Sequence, residues 1–371
     1  MEFGVFLPVN EGGFIMSTTR PPTPATYEYN RRITLLAEEL GLGFVIALAA
    51  WRGFGGKTGH SDVTLEAMST MAGFAEATSR IRLFGTMHTM AFHPAVAAKI
   101  LATIDQISDG RIGINLVAGS NPVDHGQMGI WPDVPHDELY EIAAEWITVA
   151  KRLWTEDRVD FEGQYYRLVD CLSNPKPVQR PHPPIICAAT SDRGLTFTMR
   201  HCTASLVNGT DLDDLKRNGR RAKELAAETD DTTKTVGLVM FVPGESDAAA
   251  QARVDLYDEG ADVEALAARA WQYSQSAKEF SRDENLRRQL RHMHSDDGRK
   301  PIAVTKSAVV GSVETVTDML VDVVEGGQFD WLGLYLPDYI ADLEIFGREV
   351  LPRLADKGIA APVGTYSSLG G

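Results

Sequence analysis

Short apolar runs alternate with amphipathic stretches along almost the whole chain, and this rhythm restricts the fold more than any motif does. Phe3 to Leu7 is a β-branched and aromatic run stopped by Pro8, as expected of a strand that leaves into a turn. Phe44 to Ala47, Ile81 to Met87, Ile112 to Val117, Pro184 to Ala189, Ala204 to Val207, Thr235 to Phe241 and Trp331 to Tyr335 read the same way. Between and after them lie helical patterns, at about Tyr27 to Leu40, Leu65 to Ala77, Pro94 to Ile107 and Asp137 to Trp154. Further helices are expected from a Ser191-Asp192 cap through Arg200, and near Asp211–Glu228, Val313–Val324 and Ile340–Leu354. Roughly eight strand–helix repeats predict an α/β fold, a closed (β/α)8 TIM barrel with insertions, as one domain over residues 1–371. The chain is 44% hydrophobic, enough to fill such a core.

Two segments break the rhythm. Val159 to Leu168 alternates with period two around a Glu-Gly turn and predicts an inserted hairpin. Residues from about 245 to 301 are polar and helical, with charge clusters at Arg282–Glu284 and Arg287–Arg291, and are expected to form a helical insertion or lid. The end of the chain, about 363–371, is expected to be a flexible tail.

Several function classes are disfavoured. A formal net charge of -15 argues against wrapping a nucleic acid or lying on an anionic membrane. Cys171, Cys187 and Cys202 have neither metal-ligand spacing nor an even disulfide framework, and read as buried thiols of a reduced cytoplasm. The Met1 to Pro8 start has no basic n-region, and no apolar run is long enough to span a bilayer, so a cytoplasmic protein is expected. Gly53-Phe-Gly-Gly-Lys-Thr58 resembles a phosphate loop superficially, but Trp51 stands where its first glycine is needed. Gly12-Gly13 lacks the spacing of a dinucleotide fingerprint, and no serine nucleophile elbow is present. His88, His93, His125 and His136 form no pair with ligand spacing, so no metal site is expected.

A few polar residues stand out against this background. Asn115 lies inside the apolar Ile112–Val117 run, where an unpaired amide is costly, so it needs a partner. Thr86 ends the preceding strand, and Ser191 opens a helix directly after another. In a barrel all three converge on the C-terminal mouth, and the Ser191 helix terminus suits a phosphate. His88 follows its strand at the same mouth and is a pocket candidate. Asp124 and Asp133, in the long loop after Val117, are placed either to polarise a substrate N–H or to form turns.

Gly4-Val-Phe-Leu-Pro8, Arg52-Gly-Phe-Gly-Gly-Lys-Thr58, Met71-Ala-Gly73, Thr78-Ser-Arg-Ile81, Ala102-Thr-Ile-Asp105, Gly110-Arg111, Asn115-Leu-Val117, Gln127-Met-Gly-Ile-Trp-Pro132 and Ser191-Asp192 together carry a resemblance. The chain resembles the flavin-dependent monooxygenases of the bacterial luciferase-like superfamily, and among them the RutA-type pyrimidine monooxygenases. The resemblance implies a TIM barrel that takes reduced FMN from a separate NADH-dependent flavin reductase, with O2 as co-substrate. In the pyrimidine branch the oxygen adduct is held to form at flavin N5 and to open the ring at an amide carbon. Carried over by residue, Ile46, Ala49, Ala50, Asn115, Tyr140 and Ser191 would contact the cofactor, with Ser191 at its phosphate. Asn115, Thr86 and Asp124 would act at the reacting centre, Asp124 standing where the family has Glu, and His88 and Ser120 would line the substrate pocket. A homo-oligomer, dimer or tetramer, is implied by analogy.

The departures also matter. Ala50 replaces a family Lys, Leu139 an Arg, Ser120 a Trp and Pro122 a Lys. The resemblance with these changes implies a roomier, less basic pocket, weaker FMN binding and a substrate other than uracil. The leading expectation is therefore oxidation or cleavage of a small heterocyclic or amide-like compound. An F420-dependent oxidoreductase of the same fold, or a flavin-binding accessory protein without catalysis, are the alternatives.

Overall fold

The computed structural model describes residues 1–119, 121–132, 134–189, 191–228, 232–279 and 302–360. Eight parallel strands close into a barrel: β1 (Glu2–Leu7), β2 (Phe44–Ala47), β3 (Arg82–His88), β4 (Ile112–Val117), β7 (Ile185–Ala188), β8 (Ala204–Val207), β9 (Lys234–Pro243) and β11 (Trp331–Tyr335). Each pairs with the next, and β8–β9, β9–β11 and β11–β1 complete the circle. These are the eight strands expected from the sequence, displaced by at most two residues at any end.

The pleat sorts the side chains. On the inner face Phe6, Phe44, Ile46, Phe84, Ile186, Leu206, Leu238 and Trp331 pack against one another as a solid plug. Glycine makes room for the rings: a Cβ on Gly4 would lie 2.4 Å from the Phe44 ring, and one on Gly113 2.4 Å from the Phe84 ring. The outer face carries Val5, Val45, Leu83, Ile114 and Leu116 into a larger core beneath the helices. Around the barrel run α1 (Tyr27–Glu39), α2 (Ala67–Ala77), α3 (Pro94–Ile107), α5 (His136–Thr155), α6 (Asp192–His201), α7 (Leu212–Glu228) and α10 (Val313–Gly327). Ala341–Ile345, a π-helical turn at Phe346–Val350 and Leu351–Asp356 complete the described chain, the two α segments being α11 and α12.

Four features lie outside that repeat. The expected hairpin is present as β5 (Val159–Glu162) and β6 (Arg167–Cys171), its turn held by Glu145 accepting the N–H groups of Gln164, Tyr165 and Tyr166. A further strand, β10 (Ala308–Gly311), was not expected; it pairs with the C-terminal half of β9, which overshoots the barrel rim. The loop after β4 contains a short helix, α4 (Pro122–Gly126), started by Asn121 Oδ1 accepting from Val123 N and Asp124 N. The polar segment beginning near residue 245 supplies α8 (Asp247–Glu259) and α9 (Val263–Glu279). Residues 280–301, with both of the charge clusters noted above, and the 363–371 tail lie outside the described residues. No described helix is long and apolar enough to cross a membrane.

Candidate active site at the barrel mouth

The pleat that points Phe84 inward also points Thr86 and His88 inward, one layer higher each time. On the neighbouring strand Asn115 stands in register with Thr86. Asn115 Nδ2 donates to Thr86 Oγ1 at 2.9 Å, which answers half of the question posed by an amide in an apolar strand. The other half stays open: Asn115 Oδ1 is sealed from solvent and has no hydrogen-bond partner among the described residues. A buried acceptor in that state costs about 1–3 kcal/mol. Ile46 is fully buried in the plug just below, as its floor.

Above this layer, His88 meets His125 of α4 with ring centroids 4.4 Å apart. Both rings are buried, and the His88 nitrogens and His125 Nε2 have no well-formed hydrogen bond. Burial first, and then the neighbouring His125, push the His88 pKa down to about 3, so the ring is neutral at pH 7. Among the described residues no three His, Cys, Asp or Glu side chains are grouped to hold a metal.

Asp124 is also buried, and Oδ1 accepts the Trp51 N–H at 2.9 Å. Burial raises its pKa, while His125 and the Trp51 and Arg52 amides pull the other way. Its carboxylate thus clamps the β2 loop, which carries the half-buried Ala49 and Ala50, to the β4 loop. Gln127 Nε2 repeats the tie by donating to Trp51 O at 2.8 Å.

Tyr140 and Ser191 come together on another wall. Ser191 Oγ caps α6 by accepting Gly194 N at 3.0 Å. A Cβ on Gly194 would lie 2.6 Å from Tyr140 Oη and 3.0 Å from Ser191 Oγ, so glycine alone leaves both hydroxyls beside the open helix terminus. Both hydroxyls thus stand at the amino end of a ten-residue helix, the kind of terminus that favours an anion. Leu139, standing where the resemblance places an arginine, is buried under Gly119 and offers no donor. Ser120 and Asp133 lie outside the described residues.

The structure adds residues that sequence reading missed. Helix α9 lies over the mouth, tied by Thr58 N and Oγ1 donating to Asp262 Oδ2 at 2.7 and 2.8 Å. Gln272 Nε2 donates to Gly53 O, and Asn121 Nδ2 to Gln272 Oε1, each at 2.9 Å. The same helix brings Arg269 and Tyr273, with Tyr273 set 6.5 Å from the Phe54 ring. Tyr335 faces inward from the end of β11, 4.3 Å from Phe14 and 5.4 Å from Phe6 between ring centroids. Alternation along β11 could have found Tyr335. Arg269 sits more than 150 positions from Thr86 and Asn115, in a run of ordinary helical composition.

Comparison with known proteins agrees with this architecture. The profile of the family described as luciferase-like monooxygenase matches residues 1–328. The chain is 32% identical to the pyrimidine monooxygenase RutA of Acinetobacter baylyi, over 96% of this chain and 95% of that one. It is 34% identical to the protein of the same name from Klebsiella variicola, over 98% and 99%. Among solved structures it is similar in fold to a riboflavin lyase crystallised with modified FMN and riboflavin, with a TM-score of 0.82 at 21% identity over 99% of this chain and 94% of that one.

Proposed function

The chain belongs to the luciferase-like monooxygenase family and is a flavin-dependent monooxygenase, and from that premise we propose that it uses reduced FMN and O2 on a small heterocyclic or amide-like substrate. In this reading a separate NADH-dependent reductase supplies the reduced flavin. The observation that carries it is the Asn115–Thr86 pair, with one buried acceptor left over at the floor of the barrel mouth.

The residues present fit FMN. Asn115 Oδ1 would accept an N–H from the flavin ring or the substrate, which relieves its buried, unpaired state. Tyr140, Ser191 and the amino end of α6 would receive the phosphate without a cationic side chain. FMN, when bound reduced, supplies the electrons that activate oxygen. The chain's part is to place and shield. With its oxygen accepting from Asn115, the Thr86 hydroxyl keeps its own proton to offer to oxygen or substrate. Ile46 and the aromatic plug exclude water from below, and α9 with the two clamped loops covers the site from above.

The test is direct. FMN binding is followed by flavin fluorescence, then oxygen uptake is recorded with NADH and a flavin reductase over a panel of pyrimidines, lactams and amides. Binding with substrate-dependent uptake is expected; a protein with no measurable FMN affinity refutes the proposal.

A further inference from the structure

Arg269 is a cation at this mouth whose charge no described residue answers. Among the described residues four other enclosed arginines are compensated. Arg82 pairs with Glu2 and lies 4.6 Å over the Trp331 ring. The Arg111 guanidinium donates to three carbonyls, of Ala75, Thr78 and Ile81, and to the Thr78 hydroxyl. Arg253 grips both oxygens of Asp342 at 2.9 and 3.0 Å, and Arg20 lies 3.5 Å from Glu11. Arg269 has no such ion pair or hydrogen bond among the described residues, and its nitrogens are not sealed off as those of Arg82 are.

Its position on α9 says where it points. Asp262, Ala265 and Gln272 are the buried positions of this segment, and Val263 and Trp271 are exposed. At helical spacing Arg269 and Tyr273 fall on the buried face, between Ala265 and Gln272. That face rests on the mouth: a Cβ on Gly56 would lie 2.7 Å from Ala265 N, and Gln272 bonds both loops. Burial first, and the Arg269 charge after it, hold the His60 pKa down, while for Tyr273 the same charge opposes the rise that burial causes; Tyr335 faces the mouth from the end of β11. Neither tyrosine hydroxyl has a hydrogen bond among the described residues. The nearby carboxylates are otherwise engaged, Asp262 by Thr58 and Asp124 by Trp51.

A half-buried guanidinium without a counter-charge is less favourable than one that a ligand's charge answers. In the proposed function the cofactor phosphate is not that charge, because its cradle would follow β7, whereas Phe54 follows β2 and Tyr335 ends β11; β3 and β4 separate β2 from β7 on one side, and β9 and β8 separate β11 from β7 on the other. A planar guanidinium fork with a phenol donor one helical turn away suits a planar carboxylate. We propose that Arg269, with Tyr273 one turn further along the same face of α9, receives a carboxylate of the substrate, so that the compound oxidised is a small heterocyclic or amide-like acid. The identity of the oxidation step rests on the flavin-monooxygenase reading; the anion site does not.

The experiment titrates full-length protein, with and without FMN, by calorimetry against matched pairs: orotate and uracil, nicotinate and nicotinamide, pyroglutamate and pyrrolidone. Wild type is expected to bind at least one acid about tenfold or more tighter than its neutral partner. Arg269→Gln is expected to abolish that preference, Arg269→Lys to keep part of it, and FMN affinity to be the same in all three. Removing an unanswered cation is also expected to leave the melting temperature of the ligand-free protein unchanged or higher. Any one of four results overturns the proposal: no acid preferred by wild type, a preference that survives Arg269→Gln, FMN affinity that falls in Arg269→Gln, or a melting temperature that drops. Loss of FMN binding by wild type, with the acid preference intact in the flavin-free titration, would instead overturn only the flavin reading.

Discussion

Asn115 holds a partner with one end and waits for one with the other, which separates its role in the fold from its role at the site. Asn115→Ala removes a buried acceptor that no described residue satisfies, so the folded state loses little more than the bond to Thr86. Oxygen-dependent turnover is expected to fall by about a hundredfold or more, the range seen when a positioned polar group at a reacting centre is deleted. The melting temperature is expected to move by only a few degrees, and preserved turnover would remove Asn115 from the mechanism. His88 makes a second prediction, about stability. Its folded pKa of about 3 lies below the ordinary histidine value of 6.5, so as pH falls through 6.5 the unfolded chain binds a proton that the folded chain refuses. Stability contributed by the neutral ring is therefore whole above pH 6.5 and declines toward pH 3, by up to about 1.4 kcal/mol per pH unit. Urea unfolding between pH 7 and 5 is expected to show a shallower decline in His88→Gln than in wild type; equal slopes would contradict it. Asn115 was legible in the sequence because one amide interrupts an apolar strand. Arg269 was not, because an arginine in a polar helix is ordinary until three dimensions show that no carboxylate answers it.

At the scale of elements, α9 works through its anchors. Asp262 caps the helix by accepting Ala265 N at 3.2 Å and also takes both Thr58 donors. Burial works against its ionised form, but these donors outweigh burial and hold the carboxyl below its usual range. Asp262→Ala is expected to destabilise the protein by about 1.5–3 kcal/mol, as loss of hydrogen bonds to a charged group does. Amide exchange is expected to quicken at Thr58 and along the β2 loop while the barrel strands stay protected; unchanged exchange at Thr58 would mean that the loop is held otherwise. The barrel strands themselves were legible because each is a short apolar run between helical periods, and closure follows from counting them. Two elements were not. The Ala308–Gly311 run becomes β10 only because β9 extends past the rim and offers an edge, which is a property of the partner. Helix α4 did announce itself locally, through Asn121 before Pro122 at the first helical position, but five residues carry too little periodicity to stand out in a long loop.

The whole molecule sets the conditions under which anions reach this mouth. A net charge of -15 surrounds a site that, in the proposal, takes a phosphate on one wall and a carboxylate near another. The phosphate cradle uses hydroxyls and helix amides, whose attraction fades within a turn, whereas the acidic field reaches outward to the Debye length, about 30 Å at 0.01 M salt and about 8 Å at 0.15 M. Approach of FMN is thus opposed by the molecule as a whole and favoured only at contact. Stopped-flow quenching of flavin fluorescence is expected to give an association rate constant that rises several-fold when salt is raised from about 0.01 to 0.15 M. Riboflavin, which lacks the phosphate, is expected to show almost no change, and this difference isolates charge from any effect of salt on the fold. Dissociation of FMN is expected to change less, because the contacts that hold it are short-ranged. A rate constant that falls with salt would mean that local cations such as Arg269 steer FMN in from a distance, and the separation of the two anion sites would have to be abandoned with it.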